Sequence, residues 1–509
     1  MLAPGTRSTL GVLGRAASND ADYARYVEHG LPHTREPKDV AIVGAGIAGL
    51  IAAQLLSEAG HRVTIYEASQ RCGGRILTVR EPFTNGFYGE AGAMRLPSFY
   101  TLTLEYVKKL GLPTNEFVNH DKKQNEWIFV NGVKMRRKDY EKNPDALEYP
   151  LVKGETGTTA ETLLANALAP IAAYVGSEPL DEFGHNRWGD VVAKYGEYTV
   201  REFLKQQTFY SEGAIEMIEV LNDLESRADQ AIMQQIVEIN DHSPSVVYSE
   251  ITGGFDKFPN AFLPILEKRN VPILYGHRLT EVSQPAHGRI ALTFEHDGAQ
   301  PEAGRVHGVD ADAVVVTIPF PGLRYVTFDP LLSHGKRKAI RELHYDAATK
   351  IMLQFKTRFW EEKDDIYGGC SITDLPSRFI YYPSHDYDGK HGGVVITSYT
   401  WGDEARGWDS LTDEEQIRAS LDDVAAVHGE YVRDEYVCGA IQSWAKDHYS
   451  YGEAAMFYGG QLEELQPFIP AAERNIHFAG EHTSLKHAWI EGSIDSAIRV
   501  ALEISKPPK

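Results

Sequence analysis

Apolar residues along the chain fall into short runs set between glycine-rich turns and longer helical stretches. Val40 to Val43 is a compact, β-branched-rich run of the kind a strand buried on both faces needs. Ile47 to Ala59 is small and apolar without a breaker, and Gly60 follows, so the pattern predicts a helix closed there. Arg62 to Tyr66 returns as a second strand and runs into Glu67. Ahead of these, Asp20 to Gly30 predicts a short helix, with Pro32 and Pro37 marking a linker.

Downstream, Ile76 to Val79 reads as a strand and Tyr100 to Leu110 as a helix. Trp127 to Val130 and Val133 to Met135 flank the turn dipeptide Asn131-Gly132, which predicts a hairpin. Thr158 to Val175 and Thr199 to Glu238 are mostly helix-forming. The α/β pattern restarts at Gly253-Gly254, with a helix over Asn260 to Lys268 despite Pro264. Strands are expected over Leu279 to Val282 and Ala311 to Thr317. Ile351 to Phe355, Phe379 to Tyr382 and Val394 to Tyr399 predict a mixed sheet. The last strand falls within Asn475 to His482, and a final helix spans about Ile490 to Ser505.

The first strand, helix and second strand enclose G-x-G-x-x-G at Gly44, Gly46 and Gly49. Gly44 permits the tight turn, Gly46 lets backbone approach a pyrophosphate, and Gly49 lets the helix lie close to the sheet. The helix N-terminus offers unpaired N–H groups and partial positive charge to that phosphate. Glu67 stands where a ribose hydroxyl would be bound. Together these predict an α/β fold with a Rossmann-like dinucleotide-binding domain. Arg71, Gly73, Gly74 and Arg75 add a second glycine-rich turn with two cations, suited to the same pyrophosphate.

At 509 residues the chain implies two or three domains. We divide it into an N-terminal extension (1–38), a discontinuous dinucleotide-binding domain (39–98, 243–323 and 441–509), a substrate domain (324–440, with parts of 1–30 and 99–114) and a helical insertion (115–242). A formal charge of -21 argues against nucleic acid or an anionic membrane as partner. No apolar run reaches the ~20 residues of a membrane span, and no signal peptide is read at the start. Three scattered cysteines, Cys72, Cys370 and Cys438, lack metal-ligand spacing and fit a reducing compartment, so a cytoplasmic location is expected.

Arg95 sits among small and apolar neighbours (Gly92, Ala93, Met94, Leu96, Pro97), where an unpaired charge is costly. Its planar guanidinium fits a carboxylate bidentately and stays charged at any useful pH. Tyr399 ends a strand, and Lys350 starts one, where desolvation would lower its pKa.

The ordered stretches VAIVGAGIAGL, EASQRCGGRI, EAGAMRLP, GGFDKFP, TKIML, DLPSRFIYYP, Ile441 to Tyr449 and FAGEHTSLKHAWIEGSIDSAI resemble the flavin L-amino-acid oxidases of the monoamine-oxidase superfamily. The resemblance covers nearly the whole chain. It implies FAD as cofactor, an L-amino acid and dioxygen as substrates, and a homodimer or higher homo-oligomer. It implies hydride transfer from the α-carbon to flavin N5, with 2-oxo acid, ammonia and hydrogen peroxide as products. It assigns the substrate carboxylate to Arg95 and Tyr399, with Tyr381 and Tyr382 as fallback, and a water near flavin N5 to Lys350. Ala488 and Trp489 would line the substrate space. Cofactor contacts carry over onto Gly44, Ala45, Gly46, Ile47, Ala48, Gly49, Glu67, Ala68, Arg71, Gly74 and Arg75. They continue through Gly92, Ala93, Met94, Arg95, Leu279, Trp444, Tyr449, Gly480, Glu481, Trp489, Ile490 and Ser493. No cysteine lies between Asp447 and Glu453, where some relatives attach the flavin, so binding is expected to be non-covalent. His242 matches a mobile family histidine only poorly and is read as structural or exposed. Alternatives are an amine or polyamine oxidase, an amino-acid 2-monooxygenase on the same fold, and a flavin-bound interaction module without turnover.

Overall fold

The computed structural model describes residues 22–175, 187–237, 246–285, 288–296, 305–385 and 391–506. Its centre is a five-stranded sheet in the order Ile273–Leu274, Arg62–Tyr66, Asp39–Val43, Ala313–Val316, Ile476–Phe478. Every neighbouring pair is parallel, so four separate stretches of chain build one sheet. Val40 to Val43 and Ala313–Val316 are wholly buried, which is why both read as unbroken apolar runs. The helix Ile47–Glu58 is buried from Ile47 to Leu56 and packs against the final helix Ile490–Ser505. Its single buried polar side chain, Gln54, donates to Glu58 at 3.1 Å.

In a parallel sheet all strands end on one edge. The turns after Val43, Tyr66, Val316 and Phe478 therefore gather at the same rim, where the strand order reverses around Asp39–Val43. That reversal point is where open α/β sheets hold ligands.

A second sheet of seven strands runs Tyr436–Ser443, Ala348–Phe355, Gly393–Trp401, Phe379–Tyr381, Cys370–Thr373, Trp127–Val130, Val133–Arg136. The hairpin forms as expected, with Asn131 and Gly132 both at positive φ, as a two-residue turn demands. Its place does not match the expected helical insertion: Trp127–Val130 pairs with Cys370–Thr373 and joins the substrate-side sheet. The boundary at 440/441 also moves, because Tyr436–Ser443 is one continuous strand against Ala348–Phe355. Strand pairing is a long-range property that local pattern does not carry.

Other elements shift more modestly. The helix expected over Asn260 to Lys268 is two short ones, Lys257–Asn260 and Leu263–Lys268, with Pro264 in the first turn of the second where its missing N–H costs nothing. Ala311 to Thr317 divides into Arg305–Ala311 and Ala313–Val316, which belong to different sheets. Arg305–Ala311 pairs with Ile290–His296, a strand the sequence reading passed over. The helices Ala160–Val175, Val200–Gln207, Glu212–Leu221 and Ile232–Val237 contribute buried faces to the largest core. Residues 22–29 are helical. Among the described residues no helix is long and apolar enough to cross a membrane.

Candidate functional site

A cavity of about 1510 Å³ opens from the rim of the parallel sheet toward the seven-stranded sheet. It exceeds the roughly 300–1,000 Å³ of ordinary small-molecule pockets, enough for a large cofactor and a substrate together. Gly44, Gly46, Ile47, Ala48, Glu67, Ala68, Arg71, Gly74 and Arg75 line one end. Gly44 holds φ +107°, and a Cβ on Gly49 would lie 2.0 Å from the Gly44 carbonyl oxygen. Helix and turn can therefore touch only through glycine. A Cβ on Gly46 would meet no protein atom within 4 Å, so that backbone faces open space where a diphosphate would approach.

Ala45 and Gly49 lie behind this surface rather than on it. The Ala45 amide donates to Glu67 Oε2 at 2.6 Å, and the Ser69 amide to Glu67 Oε1 at 2.8 Å. The Glu67 carboxylate is thus held at the cavity wall by two amides, with lone pairs left for hydroxyl donors. The two arginines brace the second turn. Arg71 donates to the carbonyl of Gly74 at 2.7 Å. Arg75 donates to the Glu453 carbonyl at 2.6 Å and pairs with Glu481 at 2.8 Å. Burial opposes the Glu481 charge, but Arg75, His487 and His482 together outweigh it and hold the carboxyl below its ordinary pKa. Such a cradle of glycine turns, a helix N-terminus and a braced carboxylate fits the diphosphate and ribose of a dinucleotide.

Arg95 faces the middle of the cavity. Its Nη1 donates to Asn119 Oδ1 at 2.7 Å, and its guanidinium lies 5.5 Å from the Tyr248 ring and 5.9 Å from the Tyr381 ring. Burial works against its charge, but the hydroxyls of Tyr381, Tyr248 and Tyr399 more than compensate. Among the described residues no carboxylate pairs with it, so a desolvated cation stands ready for an anion from outside. Tyr399 also lines the cavity; its hydroxyl donates to Glu453 Oε1 at 3.4 Å and its ring lies 3.8 Å from that of Trp401, tilted by 37°. Of the two fallback tyrosines, Tyr381 faces Arg95, whereas Tyr382 points to the opposite face and bonds Ser371 and His428. Successive strand residues point to opposite faces, which explains the split.

Lys350 is not among the cavity-lining residues. Its Nζ donates to the carbonyls of Gly92 (2.7 Å) and Glu90 (3.1 Å), and sits 4.3 Å from the Tyr399 ring. Burial lowers its pKa to about 7, with the Glu90 carboxyl opposing. It underlies the wall that carries Gly92, Ala93, Met94 and Arg95.

The C-terminal segment closes the other side. Gly480, Glu481, Ala488, Trp489, Ile490 and Ser493 line the cavity, as do Leu279, Trp444 and Tyr449. Trp489 stands at the start of the final helix, edge-on to Tyr100 at 5.1 Å. Trp444 Nε1 donates to the Ala91 carbonyl at 2.9 Å, which pins its ring. His242 lies outside the described residues.

Asn119, Tyr248, Asp223, Arg227, Trp401 and Glu453 also line the cavity and escaped the sequence reading. Each sits in a loop, a helix end or a strand whose facing is set by tertiary contacts. Asp223 and Arg227 pair at 3.4 Å within a turn beyond the helix, where i, i+4 spacing gives no helical signal.

Comparison with known proteins follows the same lines. Residues 47–505 match the family profile described as flavin containing amine oxidoreductase. The protein YobN of Bacillus subtilis (strain 168) is 42% identical, over 96% of this chain and 98% of its own length. An L-amino-acid oxidase of Siganus canaliculatus is 39% identical, over 96% of this chain and 90% of its own. An L-glutamate oxidase precursor of Streptomyces viridosporus is 33% identical, over 95% and 88%. Among solved structures, cyclohexylamine oxidase from Brevibacterium oxydans IH-35A shares the fold with a TM-score of 0.72 at 18% identity, over 92% of this chain and 99% of that one.

Proposed function

This chain belongs to the flavin-containing amine oxidoreductases, and from that premise we propose that it catalyses FAD-dependent oxidative deamination of L-amino acids, yielding 2-oxo acid, ammonia and hydrogen peroxide. The observation that carries the amino-acid reading is Arg95: a half-buried, cavity-facing guanidinium with a neutral amide and aromatic rings around it. A carboxylate entering there gains a charge-assisted bidentate pair, which a simple amine does not offer. FAD is favoured by the length of the cradle, which runs from the Glu67 carboxylate through both glycine turns to the Arg95 wall.

A bound flavin supplies the two-electron acceptor for the α-carbon, with dioxygen regenerating it. The chain's own residues position and polarise. Arg95 anchors the carboxylate, and Tyr381 and Tyr399 flank it, so the α-carbon is presented in one orientation. Trp489 and Trp444 wall the space and exclude water. Lys350, held behind the wall by two carbonyls with its pKa near neutrality, would supply a proton during reoxidation.

We infer that the flavin is held without a covalent bond, since no cysteine lies between Asp447 and Glu453, where an attachment would be expected. Acid precipitation should release all of it into the supernatant. The homodimer and the cytoplasmic location are part of the same proposal. The three cysteines are free, which suits a reducing compartment, and light scattering tests the dimer. The decisive experiment is a peroxide-coupled screen of the twenty L-amino acids, with D-enantiomers and simple amines as controls. Stoichiometric peroxide and 2-oxo acid from L-amino acids alone is the expected result. Preference for amines, or release of an amide and carbon dioxide, would overturn it.

A further inference from the structure

An amino acid arrives as a zwitterion, and an ammonium nitrogen has no lone pair to assist oxidation at its neighbouring carbon. Either the small free-amine fraction binds directly, or a group in the cavity takes a proton from the abundant zwitterion. Resting on the amino-acid reading above, we propose that Asp223 is that proton acceptor, with Arg227 as its positioning partner.

Asp223 follows the helix Glu212–Leu221 in a turn at φ +60°, a left-handed conformation that a non-glycine residue adopts at some cost. Such strain persists where surrounding contacts enforce it, and it recurs at functional sites. The preceding Asn222 fixes the turn by donating from its side chain to the Ile218 carbonyl at 2.9 Å. The result is a carboxylate lining the same cavity as Arg95 and Tyr381, close enough to feel the charge of Arg95. Arg227 Nη2 lies 3.4 Å from Asp223 Oδ2 and its guanidinium rests 4.7 Å over the Trp401 ring, so one carboxylate oxygen is oriented from behind.

The rival acceptors are less suited. Buried tyrosine hydroxyls at 381 and 399 hold their own protons and cannot accept another to advantage. His120 is tied to Asn119 at 3.1 Å and stands on the exposed side of the site. Glu453 accepts the Tyr399 hydroxyl on Oε1 at 3.4 Å and keeps Oε2 unpartnered among the described residues, so it is the rival that the Glu453→Gln control must test.

The charges around Asp223 are Arg227, Glu404, Arg378 and Arg95, with the Tyr381 hydroxyl alongside. Burial, helped by Glu404, raises its pKa to about 8, against the pull of the three arginines. A base of that strength takes a proton from an alkylammonium with little uphill cost near pH 8. In the step itself one N–H bond of the ammonium breaks and one O–H bond forms on Asp223. The substrate becomes the neutral amine with its carboxylate still on Arg95, and no electrons move.

Anaerobic bleaching of the holoenzyme by a saturating L-amino acid, followed by stopped flow across pH, tests this. The wild-type rate should rise through an inflection near pH 8 and level off. Asp223→Asn should be slower by roughly 10²-fold at neutral pH and keep rising with the substrate's own free-amine fraction, since free amine bypasses the base. Asp223→Glu should restore most of the rate and the inflection. An Asp223→Asn profile that superimposes on wild type overturns the proposal, as does transfer of the loss to Glu453→Gln. If the wild type bleaches with amines and with no L-amino acid, the amino-acid reading fails instead. The Asp223→Asn profile then still judges the proton acceptor, with the amine as substrate.

Discussion

Replacing Arg95 by leucine removes the fork that would hold the substrate carboxylate and leaves a shorter, apolar side chain in an aromatic setting. Each hydrogen bond to a charged partner contributes about 1.5–3 kcal/mol, so two lost together cost about 3–6 kcal/mol of transition-state binding. That corresponds to roughly 10²- to 10⁴-fold in kcat/KM. Part of the change falls on Asn119, whose Oδ1 loses its 2.7 Å donor, but Asn119 faces the cavity and water can replace that bond. The assay compares the best L-amino acid with its decarboxylated amine in the peroxide-coupled reaction. The amino acid should lose the full factor. The amine, weak in the wild type, should lose nothing further. Arg95→Lys should fall between, keeping the charge without the planar fork. Equal losses for amine and amino acid, or less than tenfold for the amino acid, would refute the assignment of Arg95 to the carboxylate.

Gly46→Ala and Gly49→Ala should separate binding from folding. The first adds a methyl where no protein atom lies within 4 Å and should lower flavin content at unchanged apoprotein thermal stability; the second drives Cβ to 2.0 Å from a backbone oxygen and should cost more than the ~1–3 kcal/mol of ordinary overpacking, read as a fall in Tm. Glu481→Gln leaves the half-buried Arg75 without its carboxylate and should cost about 1.5–3 kcal/mol in urea titration at neutral pH. Because the folded Glu481 pKa is held down, its contribution is complete above the unfolded value of about 4.3 and disappears as pH falls through the folded one, so the variant should show a shallower acid loss. Lys350→Met should slow flavin reoxidation by roughly 10²-fold or more in stopped flow. The folded lysine pKa of about 7 lies below its unfolded value of about 10.4, so wild-type stability gains a rising component across that window that the variant lacks; identical stability-versus-pH curves would contradict the buried placement.

The dinucleotide cradle was readable because its requirements are local. Strand, tight turn, helix and second strand follow one another within 39–67, and each glycine answers a clash or an angle a few residues away. The final helix was legible for the same reason, its apolar face being continuous from Ile490 to Ile504. The Trp127–Val130 hairpin shows the limit: its turn was predictable, but its partner Cys370–Thr373 is more than 200 residues away and nothing local names it. Tyr381 and Tyr382 differ by one position, and strand alternation alone leaves open which of them faces the cavity; pairing of Phe379–Tyr381 with its neighbours decides that.

The sequence by itself determined the cofactor cradle, the family's ordered motifs and the presence of an arginine in apolar company, since these depend on short-range geometry and on residue chemistry. Tertiary structure alone decided what surrounds that arginine. Asn119, Tyr248, Tyr381 and Tyr399 reach it from four separate segments, and Asp223 with Arg227 joins the same cavity from the end of a helix. Lys350 was moved behind the wall by the two carbonyls that accept its ammonium. Burial then shifts the charges of Lys350 and Asp223, and burial is set by every segment packed around a group rather than by its neighbours in the chain.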